Sequence, residues 1–165
     1  MSLLVWFGCA TFDLQVKEGY HNEFPADKEI EHSFYFLGDA GGSKIGTVDE
    51  AIVSFEKALE QAPEHSTAII LGDNIYEKGW TDKSKATIED SKHKIGVQTD
   101  ALKNFKGRSI IIPGNHDWYS GIDGLKEQEK FVEKALGKNT FLPENGCPIE
   151  RINISDEIVL IIVDT

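Results

Sequence analysis

Three short apolar runs in this chain each stop at residues whose side chains can hold an ion or move a proton. Ser33-Phe34-Tyr35-Phe36-Leu37 stops at Gly38-Asp39, and Ala68-Ile69-Ile70-Leu71 stops at Gly72-Asp73-Asn74. Ser109-Ile110-Ile111-Ile112 stops at Pro113-Gly114-Asn115-His116-Asp117. Hard oxygen donors joined by an amide and an imidazole suit a site for divalent or trivalent metals rather than thiolate zinc. One Gly-Asp after a strand is an ordinary turn former. Three in succession, the last reading Gly-Asn-His-Asp, favour a site.

The elements that must position these residues follow from hydrophobic period. The three runs are short, rich in β-branched and aromatic residues and apolar on both faces, which predicts buried strands. Ile45, Val48, Ile52, Phe55 and Leu59 recur at helical spacing, with Thr47 and Glu50 placed for a capping box and Pro63 just beyond. A second helix is expected from about Thr87 to Phe105 and a third from about Gly124 to Leu136. Ile149 to Ile154 and Ile158 to Val163 flank Ser155-Asp156-Glu157 and predict a hairpin or adjacent strands. Strand then helix, three times over, argues an α/β fold with a parallel sheet. In such sheets ligands bind outside the carboxyl ends of the strands, so Asp39, Asp73 with Asn74, and Asn115 with His116 and Asp117 gather on one rim.

Composition narrows the function classes. The chain has 165 residues and 40% hydrophobic content, enough for one core. Its net charge of -11 argues against a nucleic-acid partner, because phosphate backbones call for basic patches. The acidity is spread along the chain as on a solvated surface. Residues 1–31 read as a leader and linker. Within them Ser2 to Ala10 is a short apolar run carrying Cys9. Two readings stand for it: the remnant of a bacterial lipoprotein signal, with a lipid anchor at Cys9 and a cell-envelope, periplasmic or extracellular location, or an ordinary cysteine behind a clipped start. The run lacks a basic n-region and is too short to span a bilayer.

Gly38-Asp39-Ala40-Gly41-Gly42, Gly72-Asp73-Asn74-Ile75-Tyr76 and Gly114-Asn115-His116-Asp117 resemble, in order and strand context, the first three motifs of the calcineurin-like metallophosphoesterases. Gly41 stands where most members place a histidine. Tyr76 stands where purple acid phosphatases place an iron-binding tyrosine, and Ile162-Val163-Asp164-Thr165 is similar to a later strand of that group. The resemblance implies a four-layer α/β/β/α sandwich over residues 32–165, of which this chain supplies roughly the N-terminal half. It also implies two metal ions, iron with iron, zinc or manganese, and a small phosphorylated substrate cleaved by a metal-activated water.

Residue by residue, the resemblance implies that Asp39 and Tyr76 bind the first metal, Asp73 bridges both, and Asn115 binds the second. His116 faces the phosphate or protonates the leaving oxygen, and Asp117 orients His116. Ions about 3.5–4 Å apart would lower the pKa of a shared water and clamp an in-line displacement. A water nucleophile needs no Ser or Cys motif, and His21, His32, His65 and His93 read as surface or structural. Trp118 and Tyr119 either line a substrate pocket or pack.

The family's later Gly-His and Gly-His-x-His motifs supply three histidine ligands, and no histidine follows Asp117. The expectation is a truncated domain, inactive on its own. Two alternatives to the phosphomonoesterase remain: a phosphodiesterase acting on nucleotides or lipid head groups, and a binding or scaffold domain without catalysis.

Overall fold

Alternate side chains of the apolar runs find different partners, and that alternation organises the fold. The structure, a computed structural model, describes residues 29–164. The expected leader, with Cys9 and the lipid anchor read for it, lies outside the described residues except at its last positions. From Glu31 onward the chain forms one compact unit.

Strands β1 (Ser33–Leu37), β2 (Ser66–Ile70) and β3 (Arg108–Ile111) make a parallel sheet in that order, with Leu37 beside Ile70 and Ile70 beside Ile111. Central β2 is buried along its whole length. This is the parallel sheet of an α/β fold implied by the strand–helix alternation.

One face of the sheet presents Leu37, Ala68, Ile70 and Ile111 to the helices. Helix α1 (Glu50–Glu60) brings Ile52, Phe55 and Leu59, and α2 (Lys85–Leu102) brings Ile95 and Leu102. The one-turn helix α3 (Asn115–Trp118) follows β3, and helix α4 (Gly121–Leu136) adds Leu125 and Val132. The other face presents Ile69 and Ile110 to an antiparallel pair, β4 (Ile149–Asn153) and β5 (Val159–Val163), through Ile152, Leu160 and Ile162. Helices, parallel sheet and hairpin thus stack as three layers within this unit.

Local chemistry sets the helix ends. Asp49 caps α1, its carboxylate accepting from the Ala51 N–H at 2.9 Å. The expected start near Ile45, with Thr47 as cap, is not what forms. The Thr47 hydroxyl instead donates to the Lys44 carbonyl at 2.8 Å, closing a turn, and Ile45 and Val48 stay exposed. Helical spacing places both residues in register with α1, but Gly46, at φ 83°, breaks the run. Ser84 and Thr87 form a reciprocal capping box at the start of α2. Helix α4 starts three residues before Gly124 and ends at Leu136, as the period implied.

Candidate metal and phosphoester site

The loops after β1, β2 and β3 do converge, and backbone contact between them leaves no room for side chains at the crossings. The Gly41 N–H donates to the Asp73 carbonyl at 2.9 Å, and the Tyr76 N–H donates to the Gly41 carbonyl at 3.1 Å. A Cβ on Gly41 would lie 2.4 Å from the Asp73 carbonyl oxygen. No histidine or any other side chain fits there, which gives a steric reason for glycine at this place in the first motif. A Cβ on Gly114 would likewise lie 2.4 Å from Asp73 Oδ1.

Asp39 and Asp73 both hold left-handed backbone conformations, at φ 56° and 53°. Non-glycine residues adopt that region at a cost of about 1–2 kcal/mol, Asp more readily than most. The two strained turns aim their carboxylates at one phenol. Tyr76 Oη lies 2.6 Å from Asp39 Oδ1 and 3.0 Å from Asp73 Oδ2, a single proton set between two anions. Hydrogen bonding to Asp39 leads in pushing the Tyr76 phenol above its ordinary range, with burial and Asp73 adding to it. Such crowding of negative charge favours a bound cation, which would take the place of the shared proton.

The second oxygen of Asp73 turns the other way. Oδ1 accepts the His116 N–H at 3.1 Å, so Asp73 spans from the Tyr76 side to the loop that carries Asn115 and His116. The His116 ring packs between Tyr76 and Tyr119, at centroid distances of 4.8 and 4.9 Å. Its Nδ1 lies 2.6 Å from the Glu77 carbonyl oxygen. A carbonyl can only accept, so Nδ1 carries hydrogen and Nε2 is the nitrogen left for chemistry.

Asp117 is buried below this ring and bonds elsewhere. Its carboxylate accepts from the N–H groups of Gly114 at 2.8 Å, Asn74 at 3.0 Å and Ile75 at 3.1 Å. It therefore ties the loop after β2 to the loop after β3, and the carbonyl of Glu77 takes the orienting position expected of Asp117. Burial pushes the Asp117 carboxyl above the usual range, while the N–H donors pull it down.

Asn115 is exposed, and its amide nitrogen lies 3.3 Å from the Tyr119 hydroxyl. Asn74, read as part of the rim, is turned inward, its amide donating to the Ile112 carbonyl at 2.8 Å. Trp118 belongs with the core residues and donates to the Asp164 carboxylate at 2.8 and 2.9 Å. Tyr119 is the exposed neighbour that flanks His116.

Helix α2 supplies supports that no motif marks. The Gln98 amide, fully buried, donates to the carbonyls of Asn74 at 2.7 Å and Lys94 at 2.9 Å. The Lys94 ammonium donates to the Tyr76 carbonyl and pairs with Asp90 at 2.7 Å. A signal did exist: Ser91, Lys94 and Gln98 form a polar stripe at helical spacing on a helix that also buries Ile95 and Leu102.

Asp39, Asp73 and Tyr76 form an all-oxygen set within hydrogen-bond reach, which fits a hard cation. Among the described residues, no group of three or more His, Cys, Asp and Glu side chains converges on a metal-sized site. No protein-family model, curated protein or solved structure matches this chain. No helix among the described residues is long and apolar enough to cross a membrane.

Proposed function

We propose that Asp39, Asp73, Tyr76, Asn115 and His116 belong to a two-metal phosphoesterase site that hydrolyses phosphate monoesters. The observation that carries this reading is the divergence of the Asp73 oxygens. One faces the phenol shared with Asp39, and the other faces the loop of Asn115 and His116. A carboxylate so placed suits a bridge between two cations. On this reading the cations, iron with iron, zinc or manganese, supply Lewis acidity and an acidified water.

The chain's own groups then have separate tasks. Tyr76 and Asp39 would hold one cation, Asn115 the other, and Asp73 both. Water attacks phosphorus in line, and the ester P–O bond breaks as its oxygen departs. His116, its ring set through Nδ1–H by the Glu77 carbonyl, would act as the imidazolium, giving its Nε2 proton to that oxygen and regaining the proton that the attacking water sheds. Asp117 keeps the two carrier loops in register from below. The architecture of the reading is the four-layer α/β/β/α sandwich, in which helices, parallel sheet and hairpin are three successive layers.

The test uses the natural gene product with iron and zinc or manganese supplied. Turnover of p-nitrophenyl phosphate should depend on metal, and His116→Ala should lower kcat by about 10²–10⁴-fold with metal content kept. Tyr76→Phe should abolish a visible tyrosinate-to-iron band. A colourless, fully active enzyme would remove iron–tyrosinate from the reading. Loss of both metals in His116→Ala would make His116 a ligand. Absence of metal-dependent turnover would overturn the whole.

A further inference from the structure

Beside the carboxylate–phenol cluster lies an open cleft of about 750 Å³. Its walls are the loop after β1 at Gly41–Lys44, the segment that follows Tyr76, and one side of α2 from Thr87 to Lys94. Tyr76 lines it, so the cleft opens onto the site described above. A volume of this size takes a small organic ligand.

The charge of the cleft is the reverse of the chain's. The protein carries 17 basic and 28 acidic residues, yet the lining has Lys44, Lys78, Lys83 and Lys94 against Glu77 and Asp90. Lys94 is spent on Asp90 and the Tyr76 carbonyl. Lys44, Lys78 and Lys83 are exposed and make no ion pair among the described residues. Gly42, on the rim, has open space where a side chain would be. Lys44, Lys78 and Lys83, three ammonium groups without an ion-pair partner among the described residues, line one cleft and make a local well for a multiply charged anion.

We propose that this cleft holds a second phosphate of the substrate, so that small bisphosphates are preferred over monophosphates. This rests on the phosphoesterase reading above. The scissile phosphate lies at Asp73 and His116, and the spectator phosphate lies among Lys44, Lys78 and Lys83. A dianionic phosphate matches three lysines better than a single carboxylate does, because each lysine acts as a point charge.

Two measurements on the natural gene product separate this proposal from the reading it rests on. The first is calorimetry with inorganic phosphate under chelator, where no metal contributes. Phosphate should bind, and the triple variant Lys44→Ala/Lys78→Ala/Lys83→Ala should bind it at least about tenfold more weakly, a loss of about 1.4 kcal/mol. Equal binding by both proteins, or by neither, overturns the cleft.

The second compares turnover of hexyl phosphate, hexane-1,6-diyl bisphosphate and 6-phosphonooxyhexanoate with metal supplied. The bisphosphate KM should lie at least about tenfold below that of hexyl phosphate, and the triple variant should bring the ratio near one. Equal KM values in the unaltered protein overturn the bisphosphate preference and leave the phosphoesterase standing. A carboxylate substrate as good as the bisphosphate overturns the preference for phosphate. No turnover of any substrate overturns the phosphoesterase reading, while lysine-dependent phosphate binding would still support the cleft.

Discussion

On one side of the parallel sheet, Leu37, Ile70 and Ile111 pack under three helices; on the other, Ile69 and Ile110 meet Leu142 and a two-stranded hairpin. The difference is one of depth. The helix side joins fifteen buried residues into one core, and the hairpin side joins four. The outer face of the hairpin leaves Ile149, Val159, Ile161 and Val163 exposed, and Phe36 of β1 is exposed too. The thick side also buries a polar support for the site. Gln98 lies inside it with its amide hydrogens on loop and helix carbonyls, and from there it steadies the segment that carries Asp73 and Tyr76. The hairpin side reaches the site through the bonds from Trp118 to Asp164 and through Ile112, which packs with the hairpin and accepts from the Asn74 amide. Stability and site geometry are therefore expected to depend mainly on the helix side.

The largest effect should come from cutting the same side chain on each face. Ile70→Ala, at a fully buried position, should cost toward the upper end of about 2–5 kcal/mol in denaturant unfolding, because neighbours on both sides prevent collapse. Ile162→Ala, under a thin layer that can relax, should fall near about 2 kcal/mol. Equal losses would break the comparison.

Next in size is Gln98→Ala. Removing the amide leaves the carbonyls of Asn74 and Lys94 without that donor, and a loss of about 1–3 kcal/mol is expected. The measurement that sharpens the point is local: amide exchange at Asn74 to Tyr76 should speed up more than at β4 and β5. Uniform acceleration would mean that Gln98 is only packing.

The smallest effect belongs to the outer hairpin face. In the 165-residue chain, Ile161→Thr, at an exposed position, should change unfolding free energy by less than about 0.5 kcal/mol. A loss of several kcal/mol would show that this face is covered and that the hairpin layer is not the outermost.

The strands and the carriers of the chemistry were legible in the chain because both signals are local. An apolar run of the right length, ended by Gly-Asp or Gly-Asn-His-Asp, marks a strand and the loop where ligands gather. The α/β class follows from repetition of that unit, and the hairpin from two short apolar runs around Ser155-Asp156-Glu157. The start of α1 was misread because helical spacing of Ile45 and Val48 outweighed a glycine in the left-handed region. That failure is also local, a competition between period and backbone.

What no spacing could decide is which groups touch. Sequence places Asp117 next to His116, but neighbours along a single turn point apart. The Asp117 carboxylate faces the backbone of the adjacent loop, and a carbonyl from Glu77, 39 residues away, meets the imidazole. The same holds for Gly41, whose lack of a side chain matters only because another loop's backbone lies against it. Gln98 and Lys94 matter only because α2 crosses beneath Asn74 and Tyr76. The sequence alone determined the class of fold and the residue types at the rim. Hydrogen-bond partners depend on directions and on distances of a few ångströms between distant segments, so tertiary packing decided them.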